Sequence, residues 1–143
     1  MYGPAYPTCS RTFATLRILA ADLTPQQITT ALRLQPSGSH GRGERRTLRS
    51  GGKTENRYGW FLSSEGRVES LDNRDHLDWL MGQVMSRRTD LDALRQQGAA
   101  ADIFCYWESS NGQGGPALSP PQMSTLVELG LELSYDIYGV KVK

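Results

Sequence analysis

Two segments of the chain alternate apolar and polar residues with the period of a β-strand, and each runs into a helix with the same opening. In TFATLRIL, residues 12–19, Ala14, Leu16 and Ile18 fall on one face; in ADIFCYWE, residues 101–108, Ile103, Cys105 and Trp107 do. The first strand is followed by LTPQQI, in which Thr24 is a natural N-cap, Pro25 takes the first helical position, and Gln27 completes a capping box. Leu23 and Ile28 close a hydrophobic staple around it. The second is followed by LSPPQM, where Ser119, Pro120, Gln122, Leu118 and Met123 repeat every role. The match runs inward: Ile28, Ala31 and Leu32 sit at the same helical offsets as Met123, Leu126 and Val127, which predicts two similar apolar stripes.

Each unit is expected to close with a strand. LELSYDIY alternates cleanly after Gly130, a helix C-cap, and RYGWFLSS follows a long loop in the first unit. Between the units Asp72 opens a helix with Leu77, Leu80, Met81 and Val84 at core spacing, and TDLDALRQQG reads as a shorter one ending at Gly98. The pattern predicts an α+β two-layer sandwich: a four-stranded, mostly antiparallel sheet with helices on one face, ferredoxin-like, with an internal pseudo-twofold. The capping boxes in this reading serve stability rather than chemistry.

The end of the chain carries a resemblance. NGQGG at 111–115, LSPPQMSTLVELGLEL and the closing DIY at 136–138 resemble the C-terminal signature of the bacterial domain-of-unknown-function family numbered 4279. The first strand with LTPQQI, the Trp60 strand and the central helix fit that pattern too, so the resemblance covers most of residues 12–138. It implies no catalytic residues. What it suggests is an association of related domains with bacterial toxin and immunity genes.

At 143 residues the chain has the size of one domain, able to bury roughly 68–70% of the surface its unfolded form exposes. Residues 1–11, with Gly3, Pro4 and Pro7, read as an N-terminal arm that orders only by docking; residues 12–143 form the domain. Sixteen Lys and Arg against fifteen Asp and Glu leave almost no net charge, which argues against a protein governed by generic attraction to nucleic acid or membrane. The first residues lack a signal-peptide pattern, and no apolar run is long enough to span a membrane. Two cysteines without a framework of spacings fit a reducing cytoplasm.

Candidate chemistry is sparse. His40 and His76 are the only histidines, and although Asp72 and His76 stand four apart on one helical face, no third ligand follows at a recognisable spacing. GSHGRGERR lacks the glycine spacing of a phosphate loop. Ser63, Ser64 and Ser109 have no nucleophile-elbow context and no evident base, and Cys105 reads as an inert core thiol. The sequence therefore points to no catalytic constellation, metal or organic cofactor.

Charge layout is more informative. Arg42, Arg45, Arg46, Arg49, Lys53 and Arg57 outnumber Glu44 and Glu55 in a glycine-bearing loop, which reads either as an arginine clamp for carboxylates or phosphates or as a solvated connection. From Ala100 to Tyr138 there is no Lys or Arg, but there are Asp102, Glu108, Glu128, Glu132 and Asp136. If Ile103, Cys105 and Trp107 face the helices, then Phe104, Tyr106, Glu132, Asp136 and Tyr138 lie together on the opposite sheet face. An aromatic, acidic face with a basic loop suggests a non-enzymatic interaction domain, of immunity type in one version, for a protein partner or a second copy. The alternative is an RNA-binding module using sheet aromatics and the arginine-rich loop, which an acidic face would disfavour.

Overall fold

The computed structural model describes residues 2–43 and 56–139. Along the chain run β1 (Cys9–Ala20), α1 (Pro25–Leu32), β2 (Gly38–His40), β3 (Tyr58–Ser63), α2 (Asn73–Val84), α3 (Arg88–Gln96), β4 (Ala100–Ser109), α4 (Pro120–Leu129) and β5 (Glu132–Tyr138), with a single 3-10 turn, Met85–Arg87, joining α2 to α3. The strands form one sheet in the order β2-β3-β1-β4-β5. β1 is antiparallel to both β3 and β4, β2 is antiparallel to β3, and β5 is parallel to β4.

The class is α+β, as the periodicity predicts, but the sheet is mixed and has five strands, which departs from the four-stranded ferredoxin-like expectation. The unforeseen strand is β2, whose three residues are too short to display an alternation. It also changes how the repeat is drawn. Chain direction makes β2 parallel to β1, so α1 returns to β2, with β3 inserted between; α4 returns directly to β5 beside β4. The two halves correspond as β1-α1-β2 and β4-α4-β5, and RYGWFLSS is an insertion in the first rather than its closing strand.

One sheet face carries the core. Ala14, Leu16 and Ile18 of β1, Trp60 and Leu62 of β3, and Ile103 and Cys105 of β4 pack with Ile28 and Leu32 of α1, Leu77, Leu80 and Val84 of α2, Leu91 and Leu94 of α3, and Leu126 and Leu129 of α4. Trp60 satisfies its indole by donating to the Thr29 hydroxyl at 3.0 Å.

Both helix openings fold as read. Thr24 accepts the Gln27 N–H at 3.2 Å while Gln27 accepts the Thr24 N–H at 2.8 Å. In α4 Gln122 accepts the Ser119 N–H at 3.1 Å, and the Ser119 hydroxyl also accepts from Tyr2 at 2.9 Å. The stripes, however, differ. α4 buries Gln122, Leu126 and Leu129 and leaves Met123 and Val127 exposed, because the Gln122 amide donates to the Arg74 carbonyl and Asp78 on α2 and so sets the helix rotation.

The N-terminal arm docks on the domain, and β1 begins at Cys9, earlier than the alternation suggested. Tyr2 N–H donates to Asp75, its ring lies under the Arg74 guanidinium, and Tyr6 packs edge-on against Trp107 while its hydroxyl donates to the Gly115 carbonyl.

Candidate functional site

The sheet face opposite the helices collects side chains from four strands. Register places Thr15, Arg17 and Leu19 of β1 with Phe61 of β3, and Asp102, Phe104, Tyr106 and Glu108 of β4 with Glu132, Ser134, Asp136 and Tyr138 of β5. The predicted residues Phe104, Tyr106, Glu132, Asp136 and Tyr138 therefore do share one face.

Its centre is a row of rings. Phe13 stacks on Tyr106 with centroids 5.0 Å apart and planes 8° from parallel, and Tyr106 meets Tyr138 at 5.1 Å. The phenols are fixed by carboxylates two residues away: Tyr106 donates to Glu108 at 2.6 Å and Tyr138 to Asp136 at 2.8 Å. The Tyr106 hydroxyl and the Ser10 hydroxyl hold the Glu108 carboxyl below its usual range, and the same Glu108 bond raises the Tyr106 phenol. Each tyrosine ring thus presents an apolar face with its hydroxyl already committed.

The face also bears cations that the acidic reading did not include. The Arg11 guanidinium lies 5.6 Å from the Phe13 centroid and 5.3 Å from that of Tyr106, and it pairs with Glu65. Arg17 makes a two-pronged bond to Asp102, 2.8 and 2.7 Å, and lies over Phe104. The Asp102 bond raises the Arg17 pKa against the opposing effect of burial. Phe13 and Arg17 follow from the alternation of TFATLRIL as soon as its outward positions are read along with its inward ones; Arg11 falls in the stretch read as the arm and joins the face because β1 begins at Cys9. Phe61 follows similarly from RYGWFLSS.

The arginine-rich loop divides. Arg45, Arg46 and Arg49, with Lys53, lie outside the described residues. Arg57 joins Arg17, Asp102 and Glu132 in lining an open cleft of ≈ 270 Å³ at one end of the face. Arg42 sits apart, donating to the Ala21 carbonyl at 3.0 Å and lying over Tyr58.

Elsewhere a serine and a histidine do meet. Ser64 Oγ is 2.7 Å from His76 Nδ1 and accepts the Ala14 N–H at 2.9 Å, and His76 Nε2 lies 2.7 Å from the Ser70 carbonyl. The carbonyl accepts only, so Nε2 carries the proton and Nδ1 accepts from the Ser64 hydroxyl. Both side chains are enclosed, at 0% and 2% exposure, so no substrate atom reaches them. Asp72, four residues before His76, instead pairs with Arg74 at 2.7 Å; burial raises its carboxyl, but the Arg74 bonds outweigh that and bring it below the ordinary value. Burial lowers the His76 pKa and raises that of Cys105 to about 12. Among the described residues, no three His, Cys, Asp or Glu side chains gather as a metal site requires, and no helix is long and apolar enough to cross a membrane.

Comparison with known proteins gives one match: the model of the family described as a domain of unknown function, DUF4279, fits residues 9–140. No curated protein and no solved structure matches.

Proposed function

The chain belongs to the DUF4279 family, and from that premise we propose that it is a non-enzymatic protein-interaction domain whose working surface is the helix-free sheet face. The observation that carries this is the Phe13–Tyr106–Tyr138 row with Arg11 across it, a contiguous aromatic patch with preset rings and a charged border. Tyrosine and arginine are the residues that contribute most when a protein surface is covered, because rigid rings and planar guanidinium groups lose little freedom on contact. The arginine-rich loop, Arg45, Arg46 and Arg49 included, supplies a docking element for carboxylates of a partner, with an immunity-type role as one version. Two buried free thiols fit a reducing, cytoplasmic setting.

A second reading, RNA binding, gains from Arg11 and Arg17, whose guanidinium groups offset the acids that would repel a phosphate backbone. The experiment substitutes Tyr106→Ala and, separately, Arg45 and Arg46→Glu. Partner capture and binding of fluorescent single-stranded RNA are then measured at low and high salt. Protein binding lost in both variants without RNA binding supports the interaction domain; salt-sensitive RNA binding lost in both supports the second reading. Binding that ignores Tyr106→Ala removes the sheet face from either.

A further inference from the structure

We infer that the seat of the N-terminal arm is a binding site for an extended segment of a partner protein, one with aromatic residues four apart, and that residues 2–8 are its built-in competitor. The seat lies against Trp107, on the helix side of the sheet, so it goes beyond the sheet-face reading and stands or falls without it.

The arm is held as a peptide ligand is held. A turn in which the Cys9 N–H donates to the Tyr6 carbonyl at 2.9 Å folds it back onto the domain. Most of its polar contacts are then made by its backbone. The Pro4 carbonyl accepts the Leu71 N–H and the Thr8 carbonyl the Ser110 N–H, each at 2.8 Å; the Pro7 carbonyl accepts the Ser110 hydroxyl at 2.9 Å, and the Tyr2 N–H donates to Asp75 at 2.8 Å. Side chains add two anchors four residues apart. The Tyr2 ring lies 4.2 Å from the Arg74 guanidinium with its hydroxyl on Ser119, and the Tyr6 ring stands against Trp107 with its hydroxyl on the Gly115 carbonyl. No residue from 2 to 8 belongs to the core cluster. Backbone bonds plus spaced side-chain anchors are how domains recognise extended peptides, and none of these contacts requires the segment to belong to the same chain. Covalent attachment adds only a high local concentration.

The ground beneath the arm suits uncovering. Ser70 and Asp75, which the arm touches, and Asp72 and Asn73 beside them are buried polar residues, which water hydrates when the arm leaves; a permanent cover rests better on apolar side chains.

The arm is also an imperfect occupant. Trp107 is fully buried with Tyr6 edge-on to it at 6.3 Å, yet its indole N–H has no acceptor among the described residues. Asn73 donates at 2.8 Å to Thr12, the residue opposite Trp107 in the register of β1 with β4, and the buried side-chain oxygen of Asn73 has no donor. A donor and an acceptor thus stand unmatched at one end of the domain, at a cost that a better occupant removes. The arm is poor in donors because Pro4 and Pro7 carry no N–H. A partner segment with the same aromatic spacing and other residues at those two positions brings the N–H groups that the arm lacks.

Fluorescence anisotropy on the full chain tests this, with a labelled peptide of the arm's own sequence, YGPAYPT, as the probe. Tyr2→Ala and Tyr6→Ala each loosen the arm, with thermal unfolding to establish that they fold; should Tyr6→Ala not fold, Tyr2→Ala, at the exposed tip, decides. Adding Pro4→Cys and Leu71→Cys to the Tyr2→Ala chain allows a disulfide to clamp the arm in place. The expected result is a peptide that binds the loosened chains at least about tenfold more tightly than wild type, and the clamped chain at least about tenfold less tightly when oxidised than when reduced. The same peptide with both tyrosines replaced by alanine does not bind. With Pro4→Ala and Pro7→Ala in the peptide, binding to the wild-type chain is tighter than that of the unaltered peptide, which an arm that is only a structural cover does not predict. Absence of binding to every chain at about 1 mM peptide, equal binding to wild type and loosened chains, indifference to the clamp or to the tyrosines, or no gain from removing the prolines overturns the inference.

Discussion

Replacing Ser64 with alanine removes one oxygen and strands two buried groups. In the folded protein the Ser64 hydroxyl accepts the Ala14 N–H at 2.9 Å and donates to His76 Nδ1 at 2.7 Å, and the serine is fully buried, so water offers neither group a substitute. A buried donor or acceptor left without a partner costs about 1–3 kcal/mol, so two of them bring the loss to about 2–5 kcal/mol, allowing for some relaxation. With a urea dependence of about 1–3 kcal/mol/M, the unfolding midpoint falls by on the order of 1 M or more. Urea titration followed by circular dichroism measures this. Ser124→Ala, on the exposed side of α4, is the control and changes stability by no more than about 0.5 kcal/mol. A Ser64→Ala midpoint indistinguishable from that control would refute the network, since no rearrangement within so closed a site supplies two new partners.

The remaining predictions concern the same interior and the helix openings. Burial lowers the folded pKa of His76 below its ordinary 6.5, so the unfolded chain takes up a proton that the native state refuses; the His76 contribution is complete above that value and is lost as pH falls below it. Urea midpoints that stay flat between about pH 7.5 and about pH 5 would contradict this. Thr24→Ala costs about 0.5–2 kcal/mol through the lost cap. Gln122→Ala costs about 1–3 kcal/mol and more than Gln27→Ala, because Gln122 is buried and also holds Arg74 and Asp78; equal midpoints for the two glutamine variants would show that α4 does not depend on that anchor. Burial raises the thiol of Cys9 and takes that of Cys105 to about 12, so neither cysteine reacts with a maleimide in native protein at neutral pH and both react in urea. Rapid labelling without denaturant would mean that one of the two sites opens.

Local chemistry was legible in the sequence wherever a residue acts on its neighbours. The caps at Thr24 and Asp72 and the alternations of ADIFCYWE and LELSYDIY required only short-range rules, and the two alternations put Tyr106 and Asp136 on one face correctly. Pairings between distant segments were not legible. Nothing in Gly38–His40 announces a strand, because a three-residue edge has no period to read, and its absence turned β3 from an insertion into a closing strand. Val127 was misplaced for a related reason: helical offsets predict a stripe, but a single polar anchor on another helix, Gln122 on α2, decides which way the stripe turns. The stretch from Ala100 to Tyr138 carries only acids, so taken alone it makes the sheet face acidic. Arg11 and Arg17 reach that face from β1, which crosses it from the far end of the sequence.

β1, the middle strand, also sets the order of assembly. Its neighbours are remote in the chain: Ile18 faces Trp60 on one side, and Thr12 faces Trp107 on the other. By contrast β4, α4 and β5 are consecutive, and Ile103 reaches Leu133 across a single crossover. Closing a large loop costs entropy before any contact repays it, and chains dominated by such closures fold slowly. The C-terminal crossover therefore gains order early, whereas the sheet is completed only when the N-terminal strand slots between two partners that arrive separately. Until then the inner edge of β4 stands unpaired. On the ribosome β1 emerges first and is already present when β4 is made; on refolding from denaturant the inner edge of β4 has to wait for β1 to close a long loop, and dilution keeps that edge from meeting another chain.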